Sequence, residues 1–277
     1  MYLSLHRLLL IGFFAINVCN AQEPVELNIE EERVAPFKVF DNLYYVGVKK
    51  ISAWLLESDQ GLILFDSLYG DLTGLAIESI RELGFDPDDI RYVIVSHAHR
   101  DHIGGARRLQ EEFGSVGMMT EADWSIAAEP AIPEDYPKPI RHLSASDGST
   151  LNLGRTRLRF FQTPGETPGV LSTRFTVYDN GYPHEAFLFG GADLNFAGIQ
   201  QTELYINSVE RLMQLEGIEV NIPNHPEFGE VFERYEILLE REDGDFHPFV
   251  DPESWDAWLE ILMLNAQAKL ERERLAN

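Results

Sequence analysis

"VIVSHAHRDHIGG", Val93 to Gly105, decides how this chain is read. Val93–Val95 is a β-branched apolar run of the kind that forms a buried strand, and it ends at Ser96. Four ligand-type side chains follow within six residues: His97, His99, Asp101 and His102. Side chains two apart on extended backbone point the same way, so His97 and His99 face together and Asp101 continues the spacing. His102 opens the next turn, and Gly104 and Gly105 let the backbone bend close beneath. Three of the chain's eight histidines therefore crowd one strand end, the place where open α/β sheets put their sites. Imidazole and carboxylate in this arrangement suit Zn²⁺ or a neighbouring transition metal.

A tetrahedral metal that keeps an open position takes three protein ligands, so four ligands in one stretch imply a second metal and further ligands elsewhere. Those ligands should sit at other strand ends, in loops stiff enough to hold them. "TPGETPG", Thr163 to Gly169, follows a run that reads as a strand, Thr156–Gln162, and holds Glu166 between two Pro-Gly turns. Glu166 either bonds its own turn or points at a cation. "IPNHPEF" follows the strand-like Glu219–Ile222 and carries His225, and "LFGGADLN" places Asp193 after another apolar run.

The rest of the chain alternates in the same way. Asn42–Val48, Ile51–Glu57 and Leu62–Asp66 read as strands, and Asp71–Leu83 reads as a helix stopped by Gly84. After the histidine stretch, Gly105–Phe113 reads as a helix. Val170–Val177 and Glu185–Phe189 read as strands, then Glu203–Leu215 and Val231–Leu239 as helices. Asp251 and Pro252 open a last helix, whose Trp255, Trp258, Leu259, Leu262, Ala266 and Leu270 form one apolar stripe. Strand and helix alternating in both halves, with no linker-like tract between, indicate a single layered α/β domain over residues 22–277.

At the start, Arg7 precedes the apolar Leu8–Val18, and Asn20-Ala21 leads into a polar segment. This is the layout of a secretory signal peptide, residues 1–21, with no lasting membrane insertion after its removal and a periplasmic or secreted destination. Cys19, the only cysteine, lies inside it. The mature chain then has no disulfide and no cysteine nucleophile, and His, Asp, Glu and Ser carry whatever chemistry exists. No Ser elbow of the Gly-x-Ser-x-Gly kind is present. With 46 acidic against 22 basic residues and a net charge of −24, nucleic acid is not the expected partner. A small molecule is.

His97-Ala98-His99-Arg100-Asp101-His102, the Pro-Gly-flanked "TPGETPG" and the "NHP" at His225 together resemble the metallo-β-lactamase-fold hydrolases, most nearly their di-zinc third subclass. The resemblance runs from about Pro36 to the end and departs at one point: the family usually has His where this chain has Glu166. It implies a four-layer αββα sandwich holding two Zn²⁺. His97, His99 and Glu166 would hold the first, and Asp101, His102 and His225 the second. Asp101 would also guide a proton of the attacking water, which makes it the catalytic residue. Asp193 would bridge the metals, as in lactonase and thioesterase relatives, or stand behind them, as in the third subclass. Lys49 and Lys50, in a hairpin that borders the site in the family, would attract a substrate carboxylate. The implied reaction is hydrolysis of an amide or ester ring, first of all a β-lactam. The alternatives are a lactonase or esterase, a di-iron redox protein and a non-catalytic metal binder. A carboxylate at position 166 adds negative charge, weakens the first metal as a Lewis acid and makes Mn²⁺ or Fe²⁺ more competitive there.

Overall fold

The computed structural model of the chain describes residues 28–129 and 137–276. The expected signal segment lies outside the described residues. Among these, no helix is long and apolar enough to cross a membrane.

A short helix α1 (Ile29–Glu32) leads into seven strands: β1 (Phe37–Phe40), β2 (Leu43–Tyr45), β3 (Trp54–Ser58), β4 (Gly61–Phe65), β5 (Ile90–Ile94), β6 (Val116–Thr120) and β7 (Leu143–Ala145). They lie side by side in chain order. The first four pair antiparallel, and β4 to β7 run parallel. Parallel strands need crossovers, which are usually helical. These are α2 (Gly70–Glu82), then α3 (Arg100–Ile103) with α4 (Ala106–Phe113), then α5 (Glu121–Ala127). The second sheet contains β8 (Thr150–Leu153), β9 (Thr156–Gln162), β10 (Leu171–Asp179), β11 (Tyr182–Leu188) and β12 (Val220–Asn221), in the order β12-β11-β10-β9-β8. The remaining helices are α6 (Ile199–Leu212) and α8 (Pro252–Ala276), which cover this sheet, and α7 (Val231–Leu239), which packs on the layer between the sheets with Tyr235 stacked on Phe37.

Three apolar layers hold these elements together. One lies between the first sheet and its helices and contains Leu64, Val93, Leu72 and Ile103. The middle layer joins the two sheets: Phe65 and Ile94 meet Leu158 and Phe175, and the Phe65 and Phe175 rings stack at 5.1 Å. The third seats α6 and α8 on the second sheet through Tyr205, Leu212, Trp255 and Leu259. Every residue of the apolar stripe named for the last helix packs here or against its edge, except the more distal Leu270, which is also buried. Helix, sheet, sheet, helix is the αββα sandwich.

The sequence reading missed several elements for identifiable reasons. β1 is only four residues long and follows Pro36 at the end of a charged stretch, Glu30–Arg33, so it does not stand out as a strand. β6, "VGMMT", has one β-branched residue at each end and neither alternation nor a β-branched run between. β7 and β8 are short and largely exposed. Conversely, Val46–Val48 is not strand. It continues the hairpin by single bonds, Val46 N to the Ala53 carbonyl and Val48 N to that of Ile51, both 2.9 Å, leaving Lys49 and Lys50 at the tip.

Candidate metal centre

The site lies where β4, β5 and β11 end and the loops after β9 and β12 converge. At the end of β4, Asp66 adopts φ 59°, an uncommon conformation for a residue with a side chain. Its carboxylate turns toward the neighbouring strand end and accepts from Ser96 N at 2.7 Å and Ser96 Oγ at 2.9 Å. The same carboxylate accepts from His102 Nδ1 at 2.8 Å. Below it the chain bends hard: a Cβ on Gly105 would stand 2.2 Å from the Ser67 carbonyl oxygen, so the turn that aims His102 tolerates no side chain there.

His97 is fully buried, and its Nδ1 donates to the Gly190 carbonyl at 2.7 Å. That bond fixes the tautomer and leaves Nε2 aimed at His99 Nδ1, 3.0 Å away, and at Glu166 Oε1, 3.5 Å away. His99 Nδ1 lies 3.3 Å from the same Glu166 oxygen. The "TPGETPG" turn closes through its own backbone, Gly165 N to the Thr167 carbonyl at 3.0 Å and Thr163 N to that of Val170 at 3.0 Å. Ser208 Oγ binds the Pro164 carbonyl at 2.6 Å, and Thr167 Oγ1 donates to Asp123 at 2.9 Å. With the turn secured in these ways, the Glu166 carboxylate is directed to the two imidazoles.

On the other side, Asp101 Oδ2 lies 3.3 Å from His102 Nε2 and 3.6 Å from His225 Nε2. His225 Nδ1 donates to the Lys50 carbonyl at 2.9 Å, so its Nε2 is the free nitrogen. The structure thus gathers two trios, His97–His99–Glu166 and Asp101–His102–His225, each with one ligand atom per residue within 4.8 Å of the others. They adjoin: the His97 and His102 ring centroids are 4.3 Å apart.

Burial alone would push the Glu166 and Asp101 carboxyls up. The histidines outweigh it, chiefly His97 for Glu166 and His102 for Asp101, and hold both well below the usual carboxylate range. Burial would likewise lower His102, but Asp66 and Asp101 raise it well above an ordinary histidine. The donor set fits two cations. His102 Nε2 and Glu166 Oε2 are buried with no hydrogen-bond partner among the described residues, an arrangement that is costly unless something else satisfies them. Imidazole nitrogens backed by a carboxylate or a carbonyl are what divalent transition metals take.

Asp193, Lys49, Lys50 and three further histidines are not members of the trios. Asp193 stands outside both trios, and its Oδ1 accepts from the Leu194 amide at 2.6 Å. Lys50 pairs with Glu32 at 3.0 Å, and Lys49 is exposed at the hairpin tip. His142 accepts from Gly117 N at 3.2 Å, and His184 lies 3.3 Å from Glu219. His247 stacks on Phe40 at 4.1 Å and donates to the Val39 carbonyl. The sequence reading assigned no role to Asp66 or Asp123. In the sequence Asp66 shows only as an acid that ends an apolar strand. Asp123 binds Ala98 N at 2.8 Å and Thr167 Oγ1 from a helix whose preceding strand had not been recognised.

Comparison with known proteins agrees with this geometry. Residues 46–179 match the Metallo-beta-lactamase superfamily. A solved subclass B3 metallo-beta-lactamase of Bradyrhizobium japonicum is 27% identical and superposes with a TM-score of 0.79, covering 89% of this chain and 97% of that one. Metallo-beta-lactamase type 2 of Bacillus cereus is 28% identical over 186 residues, 64% of this chain and 67% of its own length. An N-acyl homoserine lactonase of Agrobacterium fabrum is 29% identical over 137 residues, 46% of each chain. With the sandwich, the paired trios and these relatives in agreement, the chain carries a Metallo-beta-lactamase superfamily domain and is a metallo-hydrolase, with subclass B3 metallo-β-lactamases among its structural neighbours.

Proposed function

We propose that this chain is an exported di-zinc hydrolase that opens a cyclic amide or ester, with a β-lactam as its first substrate. The observation that supports this most is the pair of adjoining trios, which share one edge of the sandwich and are open to solvent through His99, Asp101 and His225. His97, His99 and Glu166 would hold one metal, and Asp101, His102 and His225 the other. When bound, such a pair supplies Lewis acidity, both lowering the pKa of water and polarising a carbonyl.

The chain's own residues set the conditions for that chemistry. Asp66 keeps the His102 ring in one tautomer with Nε2 forward, and the Lys50 carbonyl does the same for His225. Asp101, held anionic by its histidines, accepts a hydrogen bond and orients water toward the scissile carbonyl. Glu166 brings a negative charge in place of a neutral imidazole, so the first position favours harder ions, Mn²⁺ or Fe²⁺, more than an all-histidine set would.

The second reading is a lactonase or esterase of the same fold, favoured by the similarity to a homoserine lactonase. The position of Asp193, outside both trios, weighs toward the lactam. Rates on a penicillin, a carbapenem and an acyl-homoserine lactone at matched metal loading separate the two. Turnover of the lactone alone would overturn the first choice. Signal cleavage after Ala21 is tested by the N-terminal sequence of the protein recovered from the periplasm.

A further inference from the structure

Beside the second trio lies an open hollow of about 460 Å³, with Lys50, Tyr69, Arg100, His225 and Glu227 on its walls. Two of these side chains are cations, and their circumstances differ. Lys50 is neutralised by Glu32 at 3.0 Å. Arg100 has no carboxylate partner among the described residues; its guanidinium lies 4.6 Å from the centroid of the Tyr69 ring. Stacking on an aromatic face fixes a guanidinium without consuming its hydrogen-bond donors, which stay free to bind a carboxylate at two points. Position does not explain the residue through helix stability either. Arg100 opens α3, and a cation at a helix N-terminus opposes the backbone dipole.

The setting makes this charge useful. The chain carries −24 overall, so an anionic substrate gains no long-range attraction. Within the first trio, Glu166 removes a further part of the positive field. Arg100 precedes Asp101 and borders the same hollow as His225, and so restores positive charge beside the place where the scissile ring must sit. Asp101 and Glu227, also on the wall, disfavour a second anion.

We propose that Arg100, seated on Tyr69, is the specificity-determining anchor for a single carboxylate carried by the substrate next to its scissile ring. This rests on the ring-opening reading above. The test uses the zinc-loaded full chain and a substrate pair that differs only in charge, a penicillin and its methyl ester. For Arg100→Met, which keeps the aliphatic stem over Tyr69, kcat/KM on the acid falls about tenfold through KM, in line with loss of one charge-assisted hydrogen-bond pair at a solvated site. The fall on the ester is several times smaller, and Arg100→Lys recovers part of the loss on the acid alone. Equal falls on acid and ester, or no fall on either, overturn the proposal. Should the unsubstituted protein hydrolyse neither compound, the β-lactam reading fails by itself. Arg100 is then judged by equilibrium binding, followed through its side-chain Nε–Hε resonance. Acid bound about tenfold more tightly than ester, with the preference lost in Arg100→Met, supports the anchor. Equal binding of the two overturns it.

Discussion

The two trios are built from the same side-chain types and supported in different ways. In Asp101–His102–His225 both imidazoles are held from behind, His102 by the Asp66 carboxylate and His225 by the Lys50 carbonyl. In His97–His99–Glu166, among the described residues, only His97 has such a partner, the neutral Gly190 carbonyl, while the half-exposed His99 faces inward toward His97 and Glu166. A carboxylate behind an imidazole fixes the ring and raises its basicity. The second trio therefore draws on two negative charges, one facing the cation and one behind the ligand. The first draws on one, placed directly among its ligands. This contrast predicts that the second position tolerates loss of a ligand poorly, and that the character of the first is set by residue 166.

The largest effect tests whether the second trio acts as a unit. His225→Ala is expected to lower affinity for the second zinc by more than about 100-fold, beyond what loss of an outer partner costs, and to carry turnover down with it. Zinc stoichiometry after dialysis reads the first quantity, and the initial rate reads the second. Full activity with one zinc per chain would break the comparison by making the second trio ornamental. Asp66→Asn comes next. It keeps the shape and removes the charge behind His102, so second-site affinity should drop roughly 10- to 100-fold while the first site holds its metal. Equal weakening of both sites would mean that Asp66 supports the strand ends generally, through its bonds to Ser96.

Glu166→His acts on the other side of the contrast. Exchanging the carboxylate for imidazole should leave the fold intact and tighten zinc at the first position by roughly tenfold, the lower end of changes made around a ligand set. Preference for Mn²⁺ over Zn²⁺ should fall at the same time. Competition with a chelator, read separately with each metal, checks both. Unchanged zinc affinity would show that Glu166 is not among the ligands.

Much of this was legible because the chemistry is local in sequence. His97 to His102 are contiguous, and their period against a β-branched strand announces both a strand end and a shared direction. Glu166 and His225 stood out for another reason: Pro-Gly pairs flank Glu166 and prolines flank His225, which marks loops too stiff to be filler. The supporting residues did not. Asp66 looks like the last residue of an ordinary strand, and its role depends on a positive φ and on β4 lying beside β5, neither of which has a local signature. Asp123 depends on β6, whose glycine and methionines give no strand pattern because a parallel strand buried on both faces needs no alternation. Lys50 was read as a substrate-binding cation, yet what it offers the trio is its backbone carbonyl.

That carbonyl leads to the smallest effect. Helix α1 reaches the second trio by a relay: the Glu32 carbonyl accepts from Lys49 N at 2.9 Å, the Glu32 carboxylate pairs with Lys50 at 3.0 Å, and the Lys50 carbonyl receives His225 Nδ1. Glu32 is buried, but the Lys50 side chain is 75% exposed, so the pair belongs with surface ion pairs, worth up to about 1 kcal/mol. Glu32→Gln retains the backbone bond and loses the pair. It should then loosen the hairpin tip and lower second-site zinc affinity by no more than about fivefold, the equivalent of that energy. Among the described residues, no hydrogen bond or ion pair of His97, His99 or Glu166 goes to Glu32, Lys49 or Lys50, so the affinity of the first trio should not move. Titrating the two sites of Glu32→Gln with zinc against a chelator gives both numbers from one sample. If both positions weaken together, α1 is a brace for the whole edge and the two supports are not independent; if only the second weakens, the difference between the trios extends to the first helix of the described chain.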